Sequence, residues 1–311
     1  MVEVHGALVI DKAKGMTSFS AMRLAQRALG QKTAGHAGTL DPMATGVLVV
    51  LLGEATKLSN LLMDHDKVYE AEVTLGVGTD TLDAEGVVTA EAPVPPLDEG
   101  TIVAALTGFV GRHTQVPPRY SALKKDGKTH MSRARAGEDF EVEARPSLCL
   151  GLDLLAYHPG DRPRLCLRVH CGRGYYVRSL ARDLGARLGT VAHLSALRRT
   201  RVGAFSIAQA VEPASASESH LVPIPDCVPQ LTRIVASGRL LDDLRCGRTT
   251  FIPVPPGSPT TDVEQTLESE STTTLALTPE GAPVALVTSQ ATGDGRLRLK
   301  VTRGFAFGPA A

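Results

Sequence analysis

The feature that most constrains the fold is the apolar run Val47–Leu52, which lies between two glycines. Six consecutive apolar residues without polar alternation predict a strand that is buried on both faces. The preceding residues 35–46 read GHAGTLDPMATG and place Asp41 on a loop that leads into this strand. Glycines permit tight turns, and Pro42 biases Asp41 toward an extended backbone. A carboxylate held at the end of a rigid central strand is a candidate for catalysis.

The Asp-Pro pair alone favours an ordinary turn, because turns are far more common than nucleophiles. The longer pattern is more specific. The run GHAGTLDPMATGVL, followed by GEATK at residues 53–57, resembles the catalytic motif of the TruB family of bacterial tRNA pseudouridine synthases. The resemblance implies that Asp41 is the nucleophile and that His36 and Lys57 contact RNA. For His36, ordinary hydrogen bonding within the loop is the alternative.

Length and composition suggest the general class of protein. The 311 residues suit one larger and one smaller domain. The N-terminus lacks the pattern of a signal peptide, and no apolar stretch is long enough to span a membrane, so we expect a cytoplasmic protein without membrane contact. The five cysteines form no CxxC pair, which favours reduced thiols over disulfides or zinc. Because the sequence contains no nucleotide-binding or metal-binding motif, we expect no cofactor and no metal.

The net charge is zero, but the charges are unevenly distributed. Residues 112–135 contain seven Lys or Arg and one acid, and residues 162–202 contain ten Arg and one acid. If these segments share a face, that face suits a polyanion such as RNA. The alternative is ordinary solubilising charge. Residues 80–99, by contrast, contain six acids and no Lys or Arg.

Alternating polar and apolar residues predict a strand over Lys67–Leu75, with Tyr69 facing inward. Tyr69 is then either a core aromatic residue or a platform on which a base stacks, and the family resemblance favours stacking. The following residues 76–88, GVGTDTLDAEGVV, resemble a family stretch in which Asp83 would hold an active-site arginine. A solvated loop carboxylate is the alternative for Asp83.

Residues 171–185, CGRGYYVRSLARDLG, predict a strand, a glycine turn and a helix. They resemble a further family motif, which implies that Tyr176 is the general base and that Arg178 pairs with Asp41. A carboxylate removed from solvent needs a fixed cation to stay ionised, and arginine is always charged.

The last resemblance in the chain is residues 193–205, HLSALRRTRVGAF. It implies that Leu197 lines the base pocket, a role compatible with ordinary core packing, and that Arg198, Arg199 and Arg201 lie in or beside the RNA groove. Near the N-terminus, Lys12 matches the lysine of a family Lys-Pro turn, although alanine replaces the proline here. We expect Lys12 to contribute to substrate binding.

The resemblance spans about residues 6–205 and implies an α+β fold. We expect a pseudouridine-synthase-like mixed, mostly antiparallel sheet with flanking helices in a catalytic domain over residues 1–225. Residues 226–311 show short strands separated by glycine turns and suit a small, β-rich, PUA-like RNA-binding domain. Residues 253–274 approach low complexity, which predicts a mobile loop near that segment.

The implied reaction isomerises uridine 55 in the T loop of tRNA to pseudouridine, and the partner is therefore the T arm of tRNA. The target base must be flipped out of its stack. We expect a monomer. The sequence leaves open whether Asp41 attacks the sugar C1′ or the base ring first. Two alternatives are an RNA-binding, tRNA-folding protein with little or no catalysis, and a carboxylate-dependent glycosidase. The glycosidase would need a second acid beside Asp41.

Overall fold

The computed structural model describes residues 3–125, 127–254 and 271–307. Within them, the strands are β1 (Gly6–Lys12), β2 (Ala34–Ala37), β3 (Thr45–Leu52), β4 (Lys67–Leu75), β5 (Val77–Thr79), β6 (Val88–Glu91), β7 (Gly111–Gln115), β8 (Lys124–Lys125), β9 (Lys128–Thr129), β10 (Arg145–His158), β11 (Arg164–Cys171), β12 (Ala192–Val202), β13 (Phe205–Ser206), β14 (Thr232–Val235), β15 (Thr250–Pro253), β16 (Thr272–Leu277), β17 (Pro283–Thr292) and β18 (Arg296–Gly304).

The α-helices are α1 (Ser18–Ala28), α2 (Ser59–Asp64), α3 (Glu99–Thr107), α4 (His130–Arg135), α5 (Val177–Arg187), α6 (Ile224–Cys227) and α7 (Gly238–Arg245). Short 3-10 helices cover Gly53–Leu58, Ile207–Gln209, Pro213–Ser215 and Glu218–His220. Among the described residues, no helix is long and apolar enough to cross a membrane.

A nine-stranded sheet forms the centre of the protein. Its main order is β1-β3-β12-β4-β11-β10-β7, with β2 also paired to β3 and β13 to β12. The β3–β12 pair is parallel, whereas the other described pairs of this sheet are antiparallel. This arrangement confirms the expected mixed, mostly antiparallel sheet. Because β3 follows the Asp41 loop directly, the parallel junction lies next to the predicted nucleophile.

The apolar run behaves as predicted. Residues 47–52 of β3 are all fully buried. Val47, Val49 and Leu51 belong to one core cluster, and the alternating Leu48, Val50 and Leu52 belong to another. Since side chains alternate between the faces of a strand, β3 is covered on both faces. The Asp41 loop is therefore attached to one of the most buried strands of the fold.

Helices α3 and α5 cover one face of the sheet beside β4, β11 and β12. Leu106 of α3 and Leu180 of α5 share a core cluster with Tyr69, Val169 and Leu197 of those strands. The polar residues between them on β4, such as Glu70 and Glu72, point to the opposite face. The face beneath α5 thus carries Tyr69 and Leu197, two of the predicted site residues.

The C-terminal strands form a separate five-stranded sheet in the order β14-β16-β17-β18-β15. Leu275, Leu286 and Phe305 from this part of the chain join a core cluster with Val9 and Val49 of the main sheet. The two sheets therefore pack on each other through buried apolar side chains.

The segment predicted as a mobile loop is described only in part. Residues 255–270 of it lie outside the described residues. At its ends, Pro253 closes β15 and Thr272–Thr274 begin β16, so these residues belong to strands of the second sheet.

Candidate active site

The loop that carries Asp41 is held on both sides of that residue. Ser18 Oγ donates to the carbonyl of Leu40 at 2.9 Å, and the Leu40 amide donates back to Ser18 Oγ at 2.8 Å. On the other side, Lys12 Nζ donates to the carbonyl of Pro42 at 3.3 Å. The backbone around Asp41 is therefore fixed by the start of α1 and the end of β1.

Arg178 in the first turn of α5 holds the carboxylate. Its Nε lies 2.9 Å from Asp41 Oδ2, and its Nη2 donates to Oδ1 at 3.3 Å. The same guanidinium donates to the carbonyl of Thr81 at 3.0 Å and to that of Tyr120 at 2.9 Å. Arg178 is 6% exposed. Its fork is therefore aimed at Asp41 by two backbone carbonyls and cannot swing away without losing them.

Asp83 approaches Arg178 from another side. Its Oδ2 lies 3.5 Å from Arg178 Nη1, while its Oδ1 accepts hydrogen bonds from Thr81 Oγ1 at 2.6 Å and from the Glu85 amide at 3.1 Å. Asp83 is buried. The structure thus places Asp83 beside Arg178, and not on a solvated loop.

The turn that presents Asp83 is strained. Leu82 has a φ of 63° and is the only non-glycine residue with positive φ among the described residues. A left-handed backbone costs a residue with a side chain about 1–2 kcal/mol. The Leu194 amide donates to the Leu82 carbonyl at 3.0 Å, and the Ala84 amide donates to the Leu194 carbonyl at 3.0 Å. Strand β12 therefore holds the turn in this conformation.

The electrostatics of the site balance burial against charge pairing. Burial raises the pKa of Asp41 above its usual value, the Arg178 charge opposes that rise, the Asp83 charge adds to it, and Lys12 opposes it. The Asp41 side chain remains 31% exposed. The result is a carboxylate that a substrate can reach and whose charge is compensated mainly by Arg178 rather than by water.

Lys12 lies under the Asp41 loop. It is fully buried, and its Nζ donates to the carbonyls of Ala13 at 3.0 Å, Met16 at 2.7 Å and Pro42. Burial lowers the pKa of Lys12 to about 8, with Asp41 opposing the shift. The structure therefore shows Lys12 bracing the loop through backbone carbonyls.

Tyr176 is the N-cap residue of α5. Its amide donates to Gln115 Oε1 at 3.1 Å, and Gln115 Nε2 donates to its carbonyl at 3.3 Å, so the backbone of Tyr176 is fixed to the end of β7. Burial raises the pKa of the Tyr176 phenol, opposed by the charge of Arg178. The phenol is accordingly protonated at neutral pH.

Tyr69 and Leu197 lie side by side in the core cluster beneath α5. Tyr69 is 9% exposed and Leu197 is 8% exposed. Burial also raises the pKa of Tyr69, and the neighbouring Arg199 opposes the rise. Both residues therefore lie on the sheet face that is covered by α5, the helix that carries Arg178. This position suits a core residue and equally a residue that lines a base pocket.

His36 lies on β2, opposite Val50 of β3. Its Nδ1 is buried and has no hydrogen-bond partner within the described part of the chain. Burial and the nearby Arg199 lower the pKa of His36, so the imidazole is neutral at pH 7. His36 Nδ1 therefore gives no support to the alternative in which the imidazole is hydrogen-bonded within its loop.

Lys57 is the predicted site residue that the structure does not bring to Asp41. It lies in the 3-10 helix after β3, at the other end of that strand from the Asp41 loop. Its Nζ pairs with Glu54 and donates to the carbonyl of Gly304 at 2.7 Å, and Glu54 Oε2 accepts from the Ala306 amide at 2.6 Å. Lys57 thus joins the two sheets.

Two expectations about the basic residues need correction: the one-sided charge of residues 162–202 and the position of Arg199 in the RNA groove. Seven of the ten arginines in residues 162–202 form ion pairs with acids, most of which come from other segments; they are Arg162, Arg164, Arg173, Arg178, Arg182, Arg198 and Arg201. The one-sided charge of the sequence is therefore largely compensated in space. Arg199 is 1% exposed and lies inside the protein, so it is not a groove residue.

Two pockets bear on where a substrate could enter. One of about 310 Å³ is bordered by Met43 and Leu197 together with Glu70 and Arg198. A larger one of about 670 Å³ is bordered by residues 91–97 and 157, 159–163, none of which is a predicted site residue. Within the described residues, no group of three or more His, Cys, Asp or Glu side chains could hold a metal ion.

Comparison with known proteins decides the family. Residues 26–177 match the TruB family pseudouridylate synthase N-terminal domain, and residues 178–220 match the tRNA pseudouridylate synthase B C-terminal domain. The chain belongs to the TruB family. Both matched segments contribute to the Asp41 site, since the first ends at Val177 and the second begins at Arg178.

Individual relatives agree with this assignment. A tRNA pseudouridine synthase B of Aromatoleum aromaticum is 49% identical over 238 residues, which cover 74% of this chain and 76% of that protein. A tRNA pseudouridine synthase B of Deinococcus deserti is 39% identical over 330 residues, which cover 96% of this chain and 99% of that protein. The TruB resemblance seen in the motifs therefore extends over most of the chain.

Solved structures support the TruB fold. A chain of a Cbf5-Nop10-Gar1 complex superimposes with a TM-score of 0.70 at 22% identity, covering 97% of this chain and 85% of that chain. A chain of an H/ACA RNP bound to a substrate RNA gives a TM-score of 0.68 at 21% identity, covering 97% and 85%. These likenesses confirm the expected α+β architecture, including a β-rich sheet near the C-terminus.

Sequence reasoning missed several residues that shape the site. Gln115 fixes the Tyr176 backbone, and the carbonyls of Thr81 and Tyr120 aim Arg178. Backbone carbonyls leave no trace in residue identity, so these two contacts had no sequence signal. Gln115 did have one, because it begins the run QVPPRYSA that resembles a family segment.

Proposed function

We propose that this TruB-family protein isomerises uridine 55 in the T loop of tRNA to pseudouridine, with Asp41 as the nucleophile. The observation that carries the proposal is the two-point contact between Arg178 and Asp41 on a loop fixed from both sides. The names of its relatives support tRNA as the substrate. The reaction is an internal rearrangement, so the site has no need of a redox group.

The chemistry exchanges one bond of the ribose for another. The C1′–N1 glycosidic bond breaks, the uracil turns, and a C1′–C5 bond forms, while C5 loses a proton and N1 gains one. Asp41 either adds to C1′ or adds to the base ring, and both routes use an ionised carboxylate. Burial raises the pKa of Asp41, and the Arg178 charge opposes that rise and so favours the ionised carboxylate.

Three further residues would act on the flipped base or on the space that it leaves. Tyr69 would stack on the uracil, and Leu197 would form an apolar wall of the pocket. His36, neutral and with a free Nδ1, would enter the space that the base leaves in the T loop. Tyr69 and Leu197 lie in the cluster beneath α5, and His36 lies near Arg199.

Tyr176 would take the proton from C5. Its raised pKa means that a phenolate is not preformed, so the phenol would pass its own proton to N1 or to solvent as its oxygen accepts the proton of C5. Once C5 is bonded to C1′, however, loss of its proton restores the conjugated ring, so that proton is acidic and a weak base suffices. The position of Tyr176 two residues before Arg178, at the start of α5, keeps it close to the reacting groups.

The lysines would serve the substrate differently from each other. Lys12 would act on it through the loop that it braces. Lys57 would meet tRNA at the seam between the sheets, far from the flipped base. The C-terminal sheet would be a PUA-like module that binds a more distant part of the tRNA. We further propose that the protein works in the cytoplasm as a monomer.

Two alternatives fit less well. A glycosidase would need a second carboxylate facing the substrate, but Asp83 is buried and its oxygens are engaged by Arg178, Thr81 and the Glu85 amide. An RNA-folding protein without catalysis would not need the Asp41–Arg178 arrangement, whose burial costs free energy. Assistance with tRNA folding remains compatible with catalysis by the same protein.

The test is incubation of the purified protein with an unmodified tRNA transcript, without added cofactor, followed by mapping of pseudouridine. We expect one modified uridine in the T loop. The Asp41→Asn variant should make none while binding the transcript with little change in affinity. Asp161→Asn, at an exposed loop position, is the matched control and should retain full activity. Equal loss of binding and turnover in Asp41→Asn would reject Asp41 as the nucleophile.

A further inference from the structure

Arg199 is a buried cation with an unusual set of partners. It is 1% exposed, and no carboxylate of the described residues forms an ion pair with it. Its Nε donates to the carbonyl of Val47 at 2.8 Å, and its Nη2 donates to the carbonyl of Gly38 at 2.9 Å. Burying a charge is costly unless it is well hydrogen-bonded. A guanidinium placed here therefore indicates a task that an apolar residue could not perform.

The position of Arg199 links the parts of the proposed site. On β12 it lies opposite Tyr69 of β4 and opposite Gly46 of β3. Directly opposed residues on neighbouring strands have Cβ atoms about 5 Å apart, so the guanidinium lies alongside the tyrosine ring. The carbonyl of Gly38 that it holds belongs to the loop three residues before Asp41. One side chain thus contacts both the base platform and the loop of the nucleophile.

We propose that Arg199 is a positioning residue for the isomerisation, which sets the Tyr69 ring and the Gly38–Asp41 loop in their reactive arrangement. The inference rests on the proposed function and extends it. Arg199 touches neither substrate nor reacting atoms, so it acts through Tyr69 and Asp41. Its fixed charge has a second consequence: burial lowers the pKa of His36, and the Arg199 charge lowers it further, so the imidazole is neutral.

A plain structural brace and a positioning residue predict different outcomes for Arg199→Lys. Lysine keeps the charge but has no planar fork with which to serve Val47, Gly38 and Tyr69 together. If Arg199 positions the reactive groups, the single-turnover rate on tRNA falls by about 30-fold or more, because small displacements of reacting groups are costly. Affinity for tRNA changes less than about threefold, because the residue does not reach the surface.

The matched control is Arg164→Lys on strand β11, which pairs with the other edge of β4. Arg164 pairs with Glu72 on the opposite face of the sheet and is half exposed. It lies outside the proposed site, so this variant should keep the wild-type rate and affinity. Circular dichroism and thermal unfolding of both variants show whether each chain is folded at the assay temperature.

A second variant keeps the test decisive if Arg199→Lys does not fold. Tyr69→Phe retains the ring for stacking and removes the hydroxyl that faces Arg199. We expect the rate to fall by about fivefold with tRNA affinity unchanged. In the double variant, the two losses should combine to less than their product, because both act on one contact.

The outcomes separate this inference from the proposed function. An active wild type in which Arg199→Lys loses rate and affinity equally, or in which Tyr69→Phe keeps the full rate, overturns the positioning role alone. If the rate loss of the double variant equals the product of the two single losses, the coupling between Arg199 and Tyr69 is overturned. A wild type that makes no pseudouridine overturns the proposed function and this inference with it.

Discussion

Arg178 grips both carboxylate oxygens of Asp41, with Nε 2.9 Å from Oδ2 and Nη2 3.3 Å from Oδ1, although the two residues are 137 positions apart in the chain. The contact joins the start of α5 to the loop before β3. It couples the two segments in which the strongest motifs occur, so neither segment can shift without disturbing the other.

We expect Arg178→Lys to lower the single-turnover rate by about 10²-fold or more, as the loss of a positioned donor typically does. Lysine can place one ammonium near Asp41 but cannot also reach the carbonyls of Thr81 and Tyr120. Both carbonyls would lose a partner, so the free energy of unfolding should fall as well. Rapid-quench assays with excess enzyme give the rate, and urea titration gives the stability.

The control for this change is Arg182→Lys, one turn further along α5. Arg182 is about one-third exposed and pairs with its neighbour Asp183. The same substitution there should leave the rate within about twofold, because exposed ion pairs contribute little. A comparable rate for Arg178→Lys and Arg182→Lys would contradict the assigned importance of the fork.

The acidic limb of the pH–rate profile should report the ionisation of Asp41. Burial raises the pKa of Asp41, and only the carboxylate is a nucleophile. Activity is therefore present above this pKa and is lost as the pH falls through it, at a higher pH than an ordinary aspartate would show. Single-turnover rates over about pH 4 to 8 measure the limb.

Asp83→Asn tests the cause of that shift. The Asp83 charge contributes to the raised pKa of Asp41, so its removal should move the acidic limb to lower pH. The plateau rate should also drop, because Arg178 loses a buried partner. A limb that stays in place, or that moves to higher pH, would show that the limb belongs to another group.

The sequence predicted the parts of the site that depend on local pattern. Strict alternation defined β4 over Lys67–Leu75 to the residue, and the apolar run defined β3. The pairing of Arg178 with Asp41 and Asp83 also matches what the resemblance implied. In each case, the information lies in the identity of residues within one short segment or in a motif that is shared with a family.

Properties that depend on which strands pair were not predictable in this way. Arg199 sits in a basic run, yet the pairing of β12 with both β3 and β4 turns it inward. Lys57 follows Asp41 closely in the sequence, yet the eight residues of β3 carry it to the other end of the sheet, about 25 Å away at 3.3 Å per residue. Nearness in sequence therefore misleads along a strand.

Lys12→Met should weaken both activity and stability. Methionine fills a similar volume but leaves the carbonyls of Ala13, Met16 and Pro42 without their donor. Ala13 is exposed, so its carbonyl can turn to water, whereas Met16 and Pro42 are half-buried. At about 1–1.5 kcal/mol for each of these two half-buried carbonyls, we expect a loss of about 2–3 kcal/mol and a slower reaction from the loosened Asp41 loop. Lys32→Met changes an exposed lysine outside the Asp41 site and should do neither. Urea unfolding and single-turnover rates provide the comparison.

The pH dependence of stability offers a second measure of Lys12. Its pKa in the folded protein is lowered to about 8 from 10.5. Between these values the unfolded chain binds more protons, so this lysine makes stability rise with pH across that window. The wild type should therefore gain stability relative to Lys12→Met as the pH increases from about 8 to about 10. A difference that is constant with pH would place the pKa of Lys12 near its usual value.

Gly46→Ala should be among the most damaging single methyl additions in the protein. Gly46 has a φ of 98°, and a Cβ there would lie 2.2 Å from the Arg199 carbonyl oxygen and 2.9 Å from its amide nitrogen. The parallel junction of β3 and β12 would have to open, at a cost of about 3 kcal/mol or more in the free energy of unfolding. Gly247→Ala isolates the backbone contribution, because its φ is 71° and nothing lies within 4 Å of the added carbon. We expect a loss of about 1 kcal/mol in the free energy of unfolding there.

Urea titration of both variants measures the difference, and equal losses would show that the junction tolerates a side chain. Because Arg199 lies at this junction, Gly46→Ala should also reduce the single-turnover rate at temperatures where the variant remains folded, whereas Gly247→Ala should not.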